Sequence, residues 1–156
     1  MDYKQLVDSA SIIPKVSSKT AQEYESKIAV MVTNINETML QRADIMEMVG
    51  QNNIEMMKDN HNNHAYFIAS ILKNFNPEVL CETILWVFRA YRSRKFHSSY
   101  WAAQLNTWRE IISKHLSDES ANQIMPLYNW MQLNIPTFTS LSDEKLSESD
   151  SKHLSN

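Results

Sequence analysis

One glycine, Gly50, in 156 residues restricts this chain more than any motif it carries. β-Proteins reverse direction through tight turns, and those turns lean on glycine for backbone angles with φ > 0. A chain with one glycine and four prolines lacks the turn chemistry of a sheet fold. Its Met, Leu, Ala, Gln, Glu and Lys favour helices joined by short loops. The expected fold class is therefore all-α. The 43% hydrophobic and 21% charged shares are those of a globular chain, and the length suits one domain. We expect about six helices over residues 1–141, packed as an irregular or globin-like helical bundle. The polar segment 142–156, SDEKLSESDSKHLSN, has almost no apolar residues and is expected to be a mobile tail.

Apolar spacing places the helices. Asp2 to Ile13 forms a short one, stopped by Pro14. Thr20-Ala-Gln-Glu23 has the spacing of a capping box. Behind it Tyr24, Ile28, Met31, Ile35, Met39, Met46 and Val49 line one face, which predicts a single long helix from Thr20 to Val49. A helix of that length suggests a homodimer, or a protein partner, packed along residues 20–49. A third helix follows Asn52 or Asn53. Asn76-Pro77-Glu78 is a strong start signal for a fourth, ending in Arg92, Arg94 and Lys95. Ser98 or Ser99 opens a fifth with Trp101, Leu105, Trp108, Ile112 and Leu116 on one face. Ser117-Asp118-Glu119 opens a sixth, with a kink expected at Pro126.

The stretch NHNNHAYF, residues 60–67, is the main chemical clue. On a helical wheel, Ile54, Met57, His61, His64, Ile68, Ile71 and Phe75 fall within about 100° of one another. Both histidines thus sit on the stripe that should face the core. One reading is a ligand pair, since histidines at i and i+3 can reach one metal ion or cofactor, with Asp59 and Asn60 orienting the rings. A haem or transition metal would recruit His97 or His115 as well. No ExxH, HExxH or Cys/His cluster supports a metal. The other readings are a buried polar network among the asparagines and a pH-sensing pair.

WVFRAYRSRKFHSSYW, residues 86–101, interleaves Arg89, Arg92, Arg94 and Lys95 with Tyr91, Phe96, Tyr100 and Trp101. Such a segment can hold an anionic ligand or, as a weaker reading, nucleic acid through residues 89–95. It can equally neutralise a helix C-terminus. The net charge of −3 gives no general reason to expect nucleic acid. Methionines 31, 39, 46, 48, 56 and 57 fall in the second and third helices, and Trp86, Trp101, Trp108 and Trp130 in the second half. A Met-rich face meeting a Trp-rich one would enclose a hydrophobic pocket.

Enzymatic chemistry is not expected. One glycine cannot build a phosphate-cradling loop, GxSxG is absent, and Cys81 lies in an apolar helix without a neighbouring base. The start MDYKQL has no basic segment followed by an apolar run, and no stretch approaches the ~18 apolar residues of a membrane span. With a lone cysteine, a cytoplasmic setting is expected. The reading is a non-enzymatic regulatory or sensory domain that binds a small hydrophobic or anionic ligand, or a partner protein. Its candidate ligand residues are His61, His64, Tyr91, Arg92, Arg94, His97 and Trp101. The alternative is a haem- or metal-binding protein using His61 and His64, with His97.

Overall fold

The computed structural model describes residues 1–154, with side chains as far as Glu144. Among the described residues there are nine helices and no strand: α1 (Tyr3–Ser11), α2 (Ser18–Ser26), α3 (Ile28–Leu40), α4 (Ile45–Val49), α5 (Ile54–Lys73), α6 (Pro77–Ser93), α7 (Ser99–His115), α8 (Asp118–Leu133) and α9 (Ile135–Leu154). The all-α expectation holds, in a single compact domain. No helix among the described residues is long and apolar enough to cross a membrane.

The long helix expected over residues 20–49 is three helices, so the case for self-association along one continuous rod falls. Its stripe holds except at one position: Tyr24, Ile28, Met31, Ile35, Met39 and Val49 are all buried, while Met46, on the short α4, is exposed. The chain bends at Lys27 and again over residues 41–44, where Arg42 forks onto the Asp44 carboxylate at 2.9 and 3.1 Å. The bends let α2 lie on α5 and α8 while α3 lies on α5 and α7. One straight helix could not serve both sets of neighbours. α4 ends at Gly50, whose φ of 90° is the left-handed backbone that glycine tolerates best.

The start of α2 also differs from its sequence signature. Ser17, not Thr20, is the cap, and its Oγ accepts the Thr20 amide. The reason is a reciprocal arrangement with α8, capped by Ser117 through the Ser120 amide. The Ser17 amide donates to Gln123 of α8 at 2.8 Å, and the Ser117 amide and hydroxyl donate to Glu23 of α2 at 3.1–3.2 Å. Thr20 and Ser120 meet between them, hydroxyl to hydroxyl, at 3.1 Å. Burial works to raise the Glu23 carboxyl, but the hydrogen bonds from Ser120 and Ser117 outweigh it and leave the group below its ordinary value. Ser117→Ala removes both the cap and an anchor, and should lower stability by about 1 kcal/mol. A urea midpoint that falls at constant m-value checks this, with the exposed Ser11→Ala as a neutral control.

α6 begins as expected, with Asn76 accepting the Glu78 and Val79 amides and Pro77 at the first turn. α8 runs through Pro126 unbroken. Beyond Pro136 the chain adds α9, whose Phe138 and Leu141 are buried. Packing continues past the expected boundary at 141, since Ser142 is buried and Asp143 pairs with Arg92. The remainder of the expected polar tail lies outside the residues whose side chains are described.

The arrangement leaves a gap. α5 rests on α2 and α3, α6 on α1 and α9, and α7 on α3 and α8. Each of α5, α6 and α7 thus has its own set of neighbours, with α3 shared by α5 and α7. A cleft lies between them.

Candidate functional site

The cleft has a volume of about 430 Å³, within the range of small-molecule sites. Apolar walls come from Phe67 on α5, Trp86, Val87 and Phe88 on α6, Trp101 on α7, and Phe138 on α9. Phe88 stacks on Trp101 with ring centroids 4.4 Å apart and planes 14° apart. Trp86 stands at the mouth, 62% exposed. Methionine contributes only Met56 and Met131, while Met31, Met39, Met48 and Met57 are ordinary core. The expected meeting of Met-rich and Trp-rich faces is thus mainly an aromatic enclosure.

Polar groups enter at two levels. Asn60 and Gln104, 4% and 1% exposed, lie in its depth, with His64 and Tyr91 beside them. Tyr100 donates its hydroxyl to Asn60 Oδ1 at 2.7 Å, and Gln104 Nε2 donates to the same oxygen at 3.3 Å. Arg94 stands on the rim, exposed, with no acidic partner among the described residues. Its position is fixed by its own carbonyl, which accepts from Asn53 Nδ2 at 2.9 Å, and by the His97 amide, which donates to Met48 O at 2.7 Å. Those two bonds tie the end of α6 to the turn at Gly50.

Of the seven residues singled out from sequence, the cleft unites His64, Tyr91, Arg94 and Trp101. Three lie elsewhere. Arg92 is spent on Asp143 and the Thr139 carbonyl. His97 is exposed, and its Nδ1 accepts the Ser99 amide at 3.1 Å. His61 is wholly buried behind the cleft, where its Nδ1–H donates to Asn36 Oδ1 at 2.7 Å and its ring lies parallel to Tyr100. Its Nε2 is sealed and carries only a lone pair. His64 Nε2 meets the Tyr128 hydroxyl at 2.8 Å, which in turn meets the Tyr24 hydroxyl at 3.1 Å. Trp108 covers the ring at 5.0 Å.

The two histidines therefore use their nitrogens in separate hydrogen bonds and do not converge. Burial pushes both down to about 3, with the neighbouring His61 adding to the effect at His64. They are neutral at pH 7. Among the described residues no group of three or more His, Cys, Asp or Glu could hold a metal ion. His64 and His97 do not share a cavity, so the haem arrangement is not formed. The basic stretch 89–95 is likewise dispersed, with Arg89 half-buried, Arg92 paired, and only Arg94 and Lys95 exposed.

Asn60 and Gln104 were open to sequence reasoning in part. Gln104 sits on the same face of α7 as Trp101, Leu105 and Trp108, a polar group where an apolar one is expected. Asn60 adjoins the histidine stripe but donates to no ring. A broader groove of about 960 Å³ between α3 and α7 is an open polar furrow in which Arg42 is already neutralised by Asp44. Comparison with family models, with curated proteins and with solved structures finds no match for this chain.

Proposed function

We propose that this protein is a non-enzymatic regulatory or sensory module that takes a small amphipathic ligand into the cleft between α5, α6 and α7. The ligand's apolar body lies along Phe88 and Trp101, and an anionic group reaches Arg94 at the rim. The observation that carries the reading is an aromatic-walled cavity of about 430 Å³ with Arg94 at its mouth, a cation without an acidic partner among the described residues. Mechanism follows from the packing. Three helices with different sets of neighbours face a shared space, so an occupant that touches all three couples them and shifts their relative positions. The buried lone thiol, Cys81, suits a reducing cytoplasmic setting.

The probe 1-anilinonaphthalene-8-sulfonate has an apolar body and an anionic head, and its fluorescence rises in apolar surroundings. We expect saturable binding with one site per chain, weakened as salt rises. Ala90 lines the cleft, and Ala90→Trp should fill it. That variant should lose the probe while keeping its helical circular dichroism. Absence of saturable binding to the native chain, or equal binding by a folded Ala90→Trp, contradicts the proposal.

A further inference from the structure

We infer that the depth of the cleft is shaped for a flat ring bearing a neutral N–H donor, as in a lactam or ring carboxamide, held by Gln104. The inference rests on the cleft being the ligand site and names the chemistry of its inner end. Asn60 Oδ1 already accepts from Tyr100 and from Gln104 Nε2. That bond fixes the Gln104 amide with its nitrogen towards Asn60 and its oxygen turned away. Gln104 Oε1 makes no hydrogen bond among the described residues, and it is not one of the sealed orphan atoms such as His61 Nε2 and Trp108 Nε1. Since Gln104 lines the cleft and is otherwise buried, that oxygen opens into the cavity.

Asn60 is occupied on both sides: its oxygen accepts from Tyr100 and Gln104, and its amide is hydrogen-bonded to the Tyr91 hydroxyl of the cleft wall. One acceptor without a protein partner among the described residues thus stands in the depth of an aromatic enclosure. A purely apolar occupant would strand it, and a buried amide group without a partner is costly. A ring N–H satisfies it. The aromatic walls supplied by Phe67, Phe88 and Trp101 favour a flat occupant over an aliphatic chain.

Two probes of the same two-ring carboxylate skeleton separate the possibilities. One is 2-oxo-1,2-dihydroquinoline-4-carboxylate, which has the lactam edge; the other is 1-naphthoate, which lacks it. By calorimetry the lactam should bind the native chain about tenfold more tightly than the naphthoate, the equivalent of one buried hydrogen bond. Gln104→Leu should abolish that preference while leaving naphthoate binding unchanged or stronger. Gln104→Met serves the same purpose should the leucine variant fail to fold, and the native titrations decide the point without either. Equal affinities for the two probes, or a preference that survives in a folded variant, overturn the inference while the cleft reading stands. Binding of neither probe, together with no binding of the anilinonaphthalene sulfonate, overturns both.

Discussion

From about pH 6.5 down to about pH 4.5, unfolding of this protein is expected to become easier by about 2–3 kcal/mol for each pH unit, from its two buried histidines. His61 and His64 are held neutral in the fold, pushed down to about 3 chiefly by burial. In the unfolded chain each takes up a proton near pH 6.5. The stabilising contribution is therefore complete above that value and is lost as pH falls toward 3. Among the described residues nothing counters it. His61 faces Asn36 and Tyr100, His64 faces Tyr128 and Trp108, and no carboxylate is hydrogen-bonded to either ring. Other groups titrate differently. The lowered carboxyls of Glu23 and Asp44 act only below the ordinary carboxylate range, and His115, lowered by burial and by Lys114 and Lys27, is only partly buried. Against a typical total of about 5–15 kcal/mol, the histidines alone bring the domain close to unfolding near pH 4. Urea midpoints across this range measure the slope. His61→Leu with His64→Leu should flatten it, and an unchanged slope in that double variant contradicts the assignment.

Asn60→Ala should destabilise by about 3 kcal/mol, the cost of stranding buried donors together with a small cavity. The Tyr100 hydroxyl is fully buried and has Asn60 Oδ1 as its acceptor. Gln104 Nε2 loses the same partner. For a chain of this length the loss corresponds to a melting temperature lower by about 6–12 °C. Adding Tyr100→Phe removes one stranded donor, so the double variant should be less destabilised than the sum of the two single changes. Additive losses would show that the hydroxyl is satisfied in some other way. The experiment also bears on the cleft, because Asn60 sets the orientation of Gln104.

The helices were legible wherever an apolar stripe and a cap coincided. Asn76-Pro77-Glu78 marks α6, and the Trp101 to Leu116 stripe marks α7, because both signals are local. The break at Lys27 carries no glycine or proline, and the spacing from Tyr24 to Ile28 runs straight across it. Only the demands of α5, α7 and α8 bend the chain there, and those are tertiary. The Ser117 cap was visible in sequence, while the displacement of the α2 cap to Ser17 follows from contact with α8 across the fold. For the cleft, the aromatic and basic segment pointed to Tyr91, Arg94 and Trp101, and the histidine stripe to His64. Periodicity placed His61 and His64 on one face but could not tell the cleft wall from the layer behind it. Arg92 and Arg94 look alike in sequence, and α9 decides between them by supplying Asp143 to one.

The four tryptophans offer the most direct test of the binding cleft. Trp86 and Trp101 line it, Trp108 lies against His64, and Trp130 does not line it but packs edge-on against Phe138 of its wall, with its indole N–H donating to Ser9 at 2.9 Å. The measurement is the indole N–H region of the ¹H–¹⁵N spectrum during titration with 1-anilinonaphthalene-8-sulfonate. The Trp86 and Trp101 signals should move together to saturation, and the Trp130 signal, one layer behind the wall, should move less. A titration in which Trp86 and Trp101 do not move, or in which Trp130 alone responds, would contradict a ligand site between α5, α6 and α7.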